Sequence, residues 1–328
     1  MRHLLLTLVA LAASTTALAE DRTLCVYDPM GTNGVAYQTA ASWKVPVAEK
    51  WGINLVLRAY IEEKTAGDDL AAGKCDGAVF TGVRARSFGL KSATIEAIGA
   101  LPTYNSLQFA IYNLQRPEAA PLMTAGSYET AGIYPGGAVY LFVRDASIRK
   151  SSQLAGKKIS VIAGDDAALT MIREVGASGI SSSTADFGSK FNSGSVDAAY
   201  APATAYKPLE LYRGLGSGGV IDFVLSQLTL QVVVKTERFP AGFGQWGRER
   251  AYSQFDEVLR KVTAAEAEVK PKMLAIPEED KPGYDQKFQA VRVAMRDKGV
   301  YDKGVLKVMK NIRCQIWKTR AECATSVE

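Results

Sequence analysis

The sequence predicts an α/β protein of two similar lobes followed by a helical C-terminal part. Three observations carry this. Residues 23–83 and 158–200 each read strand, helix, strand, helix, strand, the order of an open parallel sheet. The two units end alike, on Ala72-Gly73-Lys74-Cys75-Asp76-Gly77-Ala78 and on Asn192-Ser193-Gly194-Ser195-Val196-Asp197-Ala198. Each tail is small residues, then glycine, then aspartate at the mouth of an apolar run. Apolar runs that could cross between lobes lie between and after the two units.

In the first unit, Thr23–Asp28 is a short apolar strand, stopped by Pro29, Gly31, Asn33 and Gly34. Val35, Thr39, Trp43 and Val47 then recur at four-residue spacing, predicting a helix that kinks or restarts at Pro46. Gly52 ends it, and Ile53, Leu55 and Leu57 alternate along a second strand. A short helix over 65–74, with Thr65 as a cap candidate, leads to a third strand, Cys75–Thr81. In the second unit the strand Lys158–Ile162 precedes a helix over 166–176, which Asp165 and Asp166 can cap. A serine-rich strand follows over 180–186, then a turn or short helix over 188–195, then the strand Val196–Tyr200. The crossing runs are Gln108–Tyr112, Ala138–Val143 and Leu228–Val234. Beyond Pro240 the chain turns helical, over 248–270, 283–298 and 302–312. The parallel cores are expected in separate lobes, with no shared sheet.

Composition removes several chemistries. The chain has 328 residues, a net charge of +5 and one histidine, His3. Residues 1–19 pair a short positive start with an apolar core and the exit Ala17-Leu18-Ala19, the pattern of a cleaved secretory signal. His3 goes with it, so serine–histidine and cysteine–histidine catalysis and histidine-based zinc sites are not expected. No motif for another enzyme class, cofactor or metal appears. The basic pairs Arg84/Arg86 and Lys157/Lys158 are too small for a nucleic-acid stripe. A monomer, exported to the periplasm and lacking a spanning helix, is expected. Its four cysteines suit an oxidising compartment. Neighbouring first and third strands favour Cys25–Cys75, and proximity in sequence favours Cys314–Cys323.

The order of parts resembles a type II periplasmic solute-binding protein. Within that class it is similar to the substrate-binding subunits of tripartite ATP-independent periplasmic (TRAP) transporters, and more closely to AdeT-type solute-binding proteins. The resembling stretches are Val26–Gly31, Ala72–Ala78, Thr81–Arg86, Gln227–Gln231, Phe239–Gly244, and Gly299–Asp302 with Arg313-Cys314. The resemblance implies a two-lobed receptor that closes on a small polar or anionic solute and delivers it to membrane transporter subunits. An auxiliary part of an efflux system is the alternative. The implied division is a signal peptide at 1–19, lobe I at 20–143, lobe II at 144–219, a return crossover at 220–247, and helices over 248–328 packing on both. The resemblance also marks a departure. Carboxylate-binding TRAP receptors carry a clamp arginine on the first strand of the second lobe, and Ser160 stands at that place here. Serine supplies no bidentate cationic fork.

Ligands of open α/β sheets bind beyond the carboxyl ends of the strands. That rule selects Asp28, Arg84 and Arg86 in the first unit, and Asp165 and Thr204 in the second. Turns there are expected to offer free backbone N–H groups to an anion. Ser160 joins the candidates through the resemblance, and Arg144 as the end of a crossing strand. Tyr104, Tyr134 and Tyr206 join as cleft-wall aromatics with a hydroxyl.

Overall fold

The computed structural model describes residues 20–328; residues 1–19, where a secretory signal is expected, lie outside the described residues with His3. The strands are β1 (Glu20–Tyr27), β2 (Ile53–Tyr60), β3 (Gly77–Thr81), β4 (Thr124–Ala125), β5 (Tyr128–Val143), β6 (Lys158–Ile162), β7 (Ser178–Ser182), β8 (Ala198–Pro202), β9 (Gly219–Lys235) and β10 (Met273–Leu274). β2, β1 and β3 form one parallel triplet, and β8, β6 and β7 another. Each triplet is strand–helix–strand–helix–strand in sequence, as its apolar runs and glycine stops require.

The expectation of separate sheets fails. The order β2-β1-β3-β9-β5-β8-β6-β7 is one hydrogen-bonded path, with β4 on β5 and β10 on β9. The join is made by β5 and β9, antiparallel partners of 16 and 17 residues. The C-terminal half of β9 pairs with β3, and the C-terminal half of β5 pairs with β8. The apolar run Ala138–Val143 was legible as a strand, but Tyr128–Gly137, with its tyrosines, glycines and Pro135, was not. The β5–β9 register shifts near Gly132, Gly137 and Leu141, so the long ribbon is broken by bulges along its length.

Beside each triplet lies a buried apolar cluster. Cys25, Leu70, Phe80 and Phe88 pack together beside the first triplet. Phe142, Phe187, Phe191 and Leu211 pack beside the second. The C-terminal helices cover both ends: Val258 and Val262 join Trp43 and Leu24, while Phe288 and Met309 join Ile159 and Ile172.

Three further expectations change. Gln108–Tyr112 is not a crossing strand but part of the helix Tyr104–Leu114. Thr103 and Ser106 form a reciprocal cap at its start, and Leu107, Ala110, Ile111 and Leu114 are buried at helical spacing. The helix expected over 248–270 is two, Phe243–Ser253 and Phe255–Val269, broken at Gln254. The short helix of the first unit runs Glu63–Ala71 and is capped by Glu62, not by Thr65.

Both disulfides join the expected partners, Cys25–Cys75 and Cys314–Cys323. Among the described residues no helix is long and apolar enough to cross a membrane, and no cluster of three His, Cys, Asp or Glu side chains is placed to hold a metal.

Candidate functional site

The carboxyl ends of both triplets open onto one cavity of about 320 Å³. Tyr27, Asp28 and Thr81 line it from the first triplet; Ile162, Tyr200 and Pro202 line it from the second. Most of the wall is apolar, with Met30, Val35, Val139, Phe187, Leu228 and Leu230 around the space. A second chamber of about 120 Å³ is lined by Arg86, Glu96, Met171, Phe223, Tyr284 and Tyr301. Val83, Val139, Asp165, Tyr200 and Leu228 line both chambers. The two therefore meet at the Asp165–Tyr200 pair, whose hydroxyl-to-carboxylate bond is 2.9 Å long.

Four carboxylates stand where the strands end, and each occupies backbone N–H groups. Asp28 accepts from Met30 N at 2.9 Å, Ala36 N at 2.8 Å and Tyr37 N at 3.2 Å. Asp165 accepts from Ala168 N at 3.1 Å. Glu63 accepts from Thr81 N at 2.7 Å. Glu96 accepts from Gly82 N at 2.9 Å and from the Thr229 hydroxyl at 2.6 Å, as well as from Thr229 N. The backbone is cut to fit: a Cβ at Gly34 would lie 1.6 Å from an Asp28 oxygen, and one at Gly82 would lie 2.4 Å from the Glu96 carboxyl carbon. Burial pushes the carboxyls of Asp28 and Glu63 upward, against their hydrogen bonds. Burial pushes Glu96 up to about 7, against bonds from Thr229 and Gly82 and the charge of Arg86. Part of the N–H set expected to be free is thus held by the protein's own acids.

The ten candidates from the sequence divide. Asp28, Asp165 and Thr204 line the larger chamber, and Arg86 and Asp165 the smaller. Thr204 spends its hydroxyl on Gly136 O at 3.1 Å. Arg86 holds its guanidinium carbon 5.3 Å from the centre of the Tyr301 ring. The other six line neither chamber. Arg84 packs against Gly67. Arg144 donates to Phe191 O at 2.8 Å and Gly214 O at 2.9 Å. Ser160 is wholly buried, with its hydroxyl 2.7 Å from that of Ser182. Tyr104 bonds Glu266 and receives Ala138 N at 2.8 Å. Tyr134 sits between Trp43 Nε1 at 2.7 Å and Gln254 at 2.8 Å. Tyr206 stacks on Phe142.

Sequence reasoning passed over Glu63, Glu96, Thr184, Tyr200 and Tyr301. A signal existed for Glu63 alone, since Glu62-Glu63 opens a helix. Thr184 comes from the second unit and reaches the first: its hydroxyl donates to Glu62 at 2.9 Å and accepts Glu63 N at 3.3 Å.

Comparison with known proteins bears on the family and the fold. A family model described as "Solute-binding protein AdeT 1/2" matches residues 45–328. The chain is 35% identical over 305 residues to the Probable solute-binding protein AdeT1 of Acinetobacter baumannii, covering 92% of this chain and 100% of that one. Its fold is similar to a TRAP periplasmic solute-binding protein of Ralstonia eutropha H16 with bound (S)-2-acetolactate. That match has a TM-score of 0.74 at 14% identity and covers 90% and 99% of the two chains. It is also similar to one of Shewanella oneidensis with bound succinate, at a TM-score of 0.71 and 11% identity, covering 89% and 99%. Identity this low shows a shared fold, the type II periplasmic binding fold, and no more.

Proposed function

The chain belongs to the AdeT 1/2 family of solute-binding proteins, a family of binders and not of enzymes, and from that premise we propose that it is a periplasmic receptor. It closes on one small solute in the chamber between the two triplets and hands it to membrane transporter subunits. The observation that carries this is the chamber itself: about 320 Å³, with walls supplied by strand ends from both units. A site built from two halves gains its full contacts only when the halves are together, which gives a transporter a ligand-dependent surface to recognise.

In this reading residues 20–143 and 144–219 are the two lobes. The division rests on the two parallel triplets, β2-β1-β3 and β8-β6-β7, since the sheet is common to both. Residues 220–247 form the return crossover, and 248–328 brace both lobes. Export by the segment 1–19 accompanies the proposal, and the two disulfides suit that compartment. Purification from periplasmic extract, denaturing release and mass spectrometry of the released solute test the receptor reading. A stoichiometric small molecule, rebinding to the refolded protein, is the expected result. An empty protein that rebinds nothing from the same extract counts against it.

A further inference from the structure

We propose that the solute is an amine with a mainly apolar body and no carboxylate. This rests on the receptor reading and adds the chemical class of its ligand.

A receptor for an acid must offer cationic side chains or free N–H groups. Here Asp28, Glu63, Glu96 and Asp165 take the N–H groups of Ala36, Thr81, Gly82 and Ala168 at the strand ends and at the start of the helix Asp166–Glu174. These four acids line the two chambers, against a single basic residue, Arg86. Arg86 shares the smaller chamber with Glu96 and its charge acts on that acid, although its Nε, like Glu96 Oε2, has no hydrogen-bond partner among the described residues. Ser160, at the place of the clamp arginine, is buried out of both chambers. An incoming carboxylate would meet these acids across a mostly apolar wall.

A second observation points to a donor on the ligand. Glu96 is 6% exposed and lines the smaller chamber, and its Oε2 has no hydrogen-bond partner among the described residues. Its other oxygen carries all the internal bonds. An unmet buried acceptor costs free energy that a ligand N–H relieves. Beside it, the larger chamber offers Val139, Leu228 and Val83 to an apolar body. An ammonium among acids with its hydrocarbon part in that chamber answers both halves of the wall.

Three probes of one shape separate the alternatives: 2-phenylethylamine, 2-phenylethanol and 3-phenylpropionate, titrated calorimetrically into solute-stripped protein, alongside succinate. The expected result is that the amine binds at least tenfold more tightly than the alcohol and the acids. Glu96→Gln, checked by circular dichroism for an unchanged fold, should shrink the amine's advantage over the alcohol. The wild-type ratio stands on its own should that variant not fold. Tighter binding of 3-phenylpropionate or succinate, or a copurified solute bearing a carboxylate, overturns the amine class and leaves the receptor reading standing. Preference for the alcohol also overturns it. Failure of every probe, together with an empty purified protein, overturns both.

Discussion

The hydroxyls of Ser160 and Ser182 lie 2.7 Å apart, bridging adjacent parallel strands β6 and β7. Ser160 has no exposed surface. This position therefore serves the interior of the second unit and not its mouth. Small, mutually bonded side chains let the strands carry polar groups without an unmet donor.

Replacing Ser160 by arginine should accordingly not restore an acid clamp. It would place a long cation in a filled interior without an ionic partner, at a cost of about 3–5 kcal/mol. Urea unfolding should show that loss, and calorimetry with succinate should show no gain. A variant of wild-type stability that binds succinate would mean that the side chain escapes to the chamber.

The triplets were legible because most of their strands are short apolar runs with glycine or proline stops, and Asp165 caps the helix Asp166–Glu174. The Cys25–Cys75 pairing followed from that order, and Cys314–Cys323 from nearness in sequence. The shared sheet was not legible, because pairing between β5 and β9 is set by contacts about ninety residues apart in sequence, which no local pattern encodes. The site was legible in place more than in membership. The strand-end rule selected Asp28, Asp165 and Thr204, which line the larger chamber. It could not tell that Arg144 turns to the carbonyls of Phe191 and Gly214, or that Glu96, on an intervening turn, comes back to Gly82 and Thr229. Glu96 lies 133 residues from Thr229, so only the fold brings them together.

Glu96 predicts a pH dependence. Its folded-state carboxyl is raised to about 7 from an ordinary 4.5. A raised acid favours the folded state when protonated, so its contribution is full below about 4.5 and is lost as pH rises through 7. The difference corresponds to about 3 kcal/mol. Asp28 and Glu63, raised in the same direction, add to the trend. In solute-free protein, unfolding free energy should fall between pH 4.5 and 7.5, and Glu96→Gln should flatten that fall. An unchanged slope would show that Glu96 is ionised throughout.

The C-terminal segment predicts the opposite acid response. Arg292 and Arg313 are buried with Glu322 and Glu328, in bonds of 2.7–3.0 Å. Burial would raise Glu322, but the bonds and charge of Arg313, with Arg292 and Arg320, hold it at about 2. Its stabilising contribution is present above the ordinary 4.5 and is lost as pH falls toward 2. Arg313 also donates to Ala100 O at 2.9 Å, tying the end of the chain to the turn before the helix Tyr104–Leu114. Arg313→Met removes the cation and leaves two buried acids with Arg292 and the more distant Arg320, which should cost about 3–5 kcal/mol. Chemical denaturation at pH 7 reads it directly; a loss under 1 kcal/mol would mean that the acids turn out to solvent.

Thr184 gives the last prediction, about closure. It follows β7 in the second unit, yet its hydroxyl donates to Glu62 at 2.9 Å and accepts Glu63 N at 3.3 Å at the start of a helix of the first. Both Thr184 and Glu63 line the larger chamber, so this contact spans its rim. If the halves part to admit a solute, the bond breaks on opening and reforms on closing. A net hydrogen bond is worth about 1 kcal/mol, a factor of roughly five in the closed-to-open ratio. Where the open form dominates without solute, that factor passes directly into apparent affinity. Thr184→Ala should therefore weaken binding of the copurified solute about fivefold, mainly through faster dissociation. Its effect on unfolding of the empty protein should be small, because the open form never makes the bond. Thr184→Ser, which keeps the hydroxyl, should retain most of the affinity. Equal weakening by Ala and Ser would assign the effect to the methyl group and its packing. An Ala variant with unchanged dissociation would remove the rim bond from closure altogether.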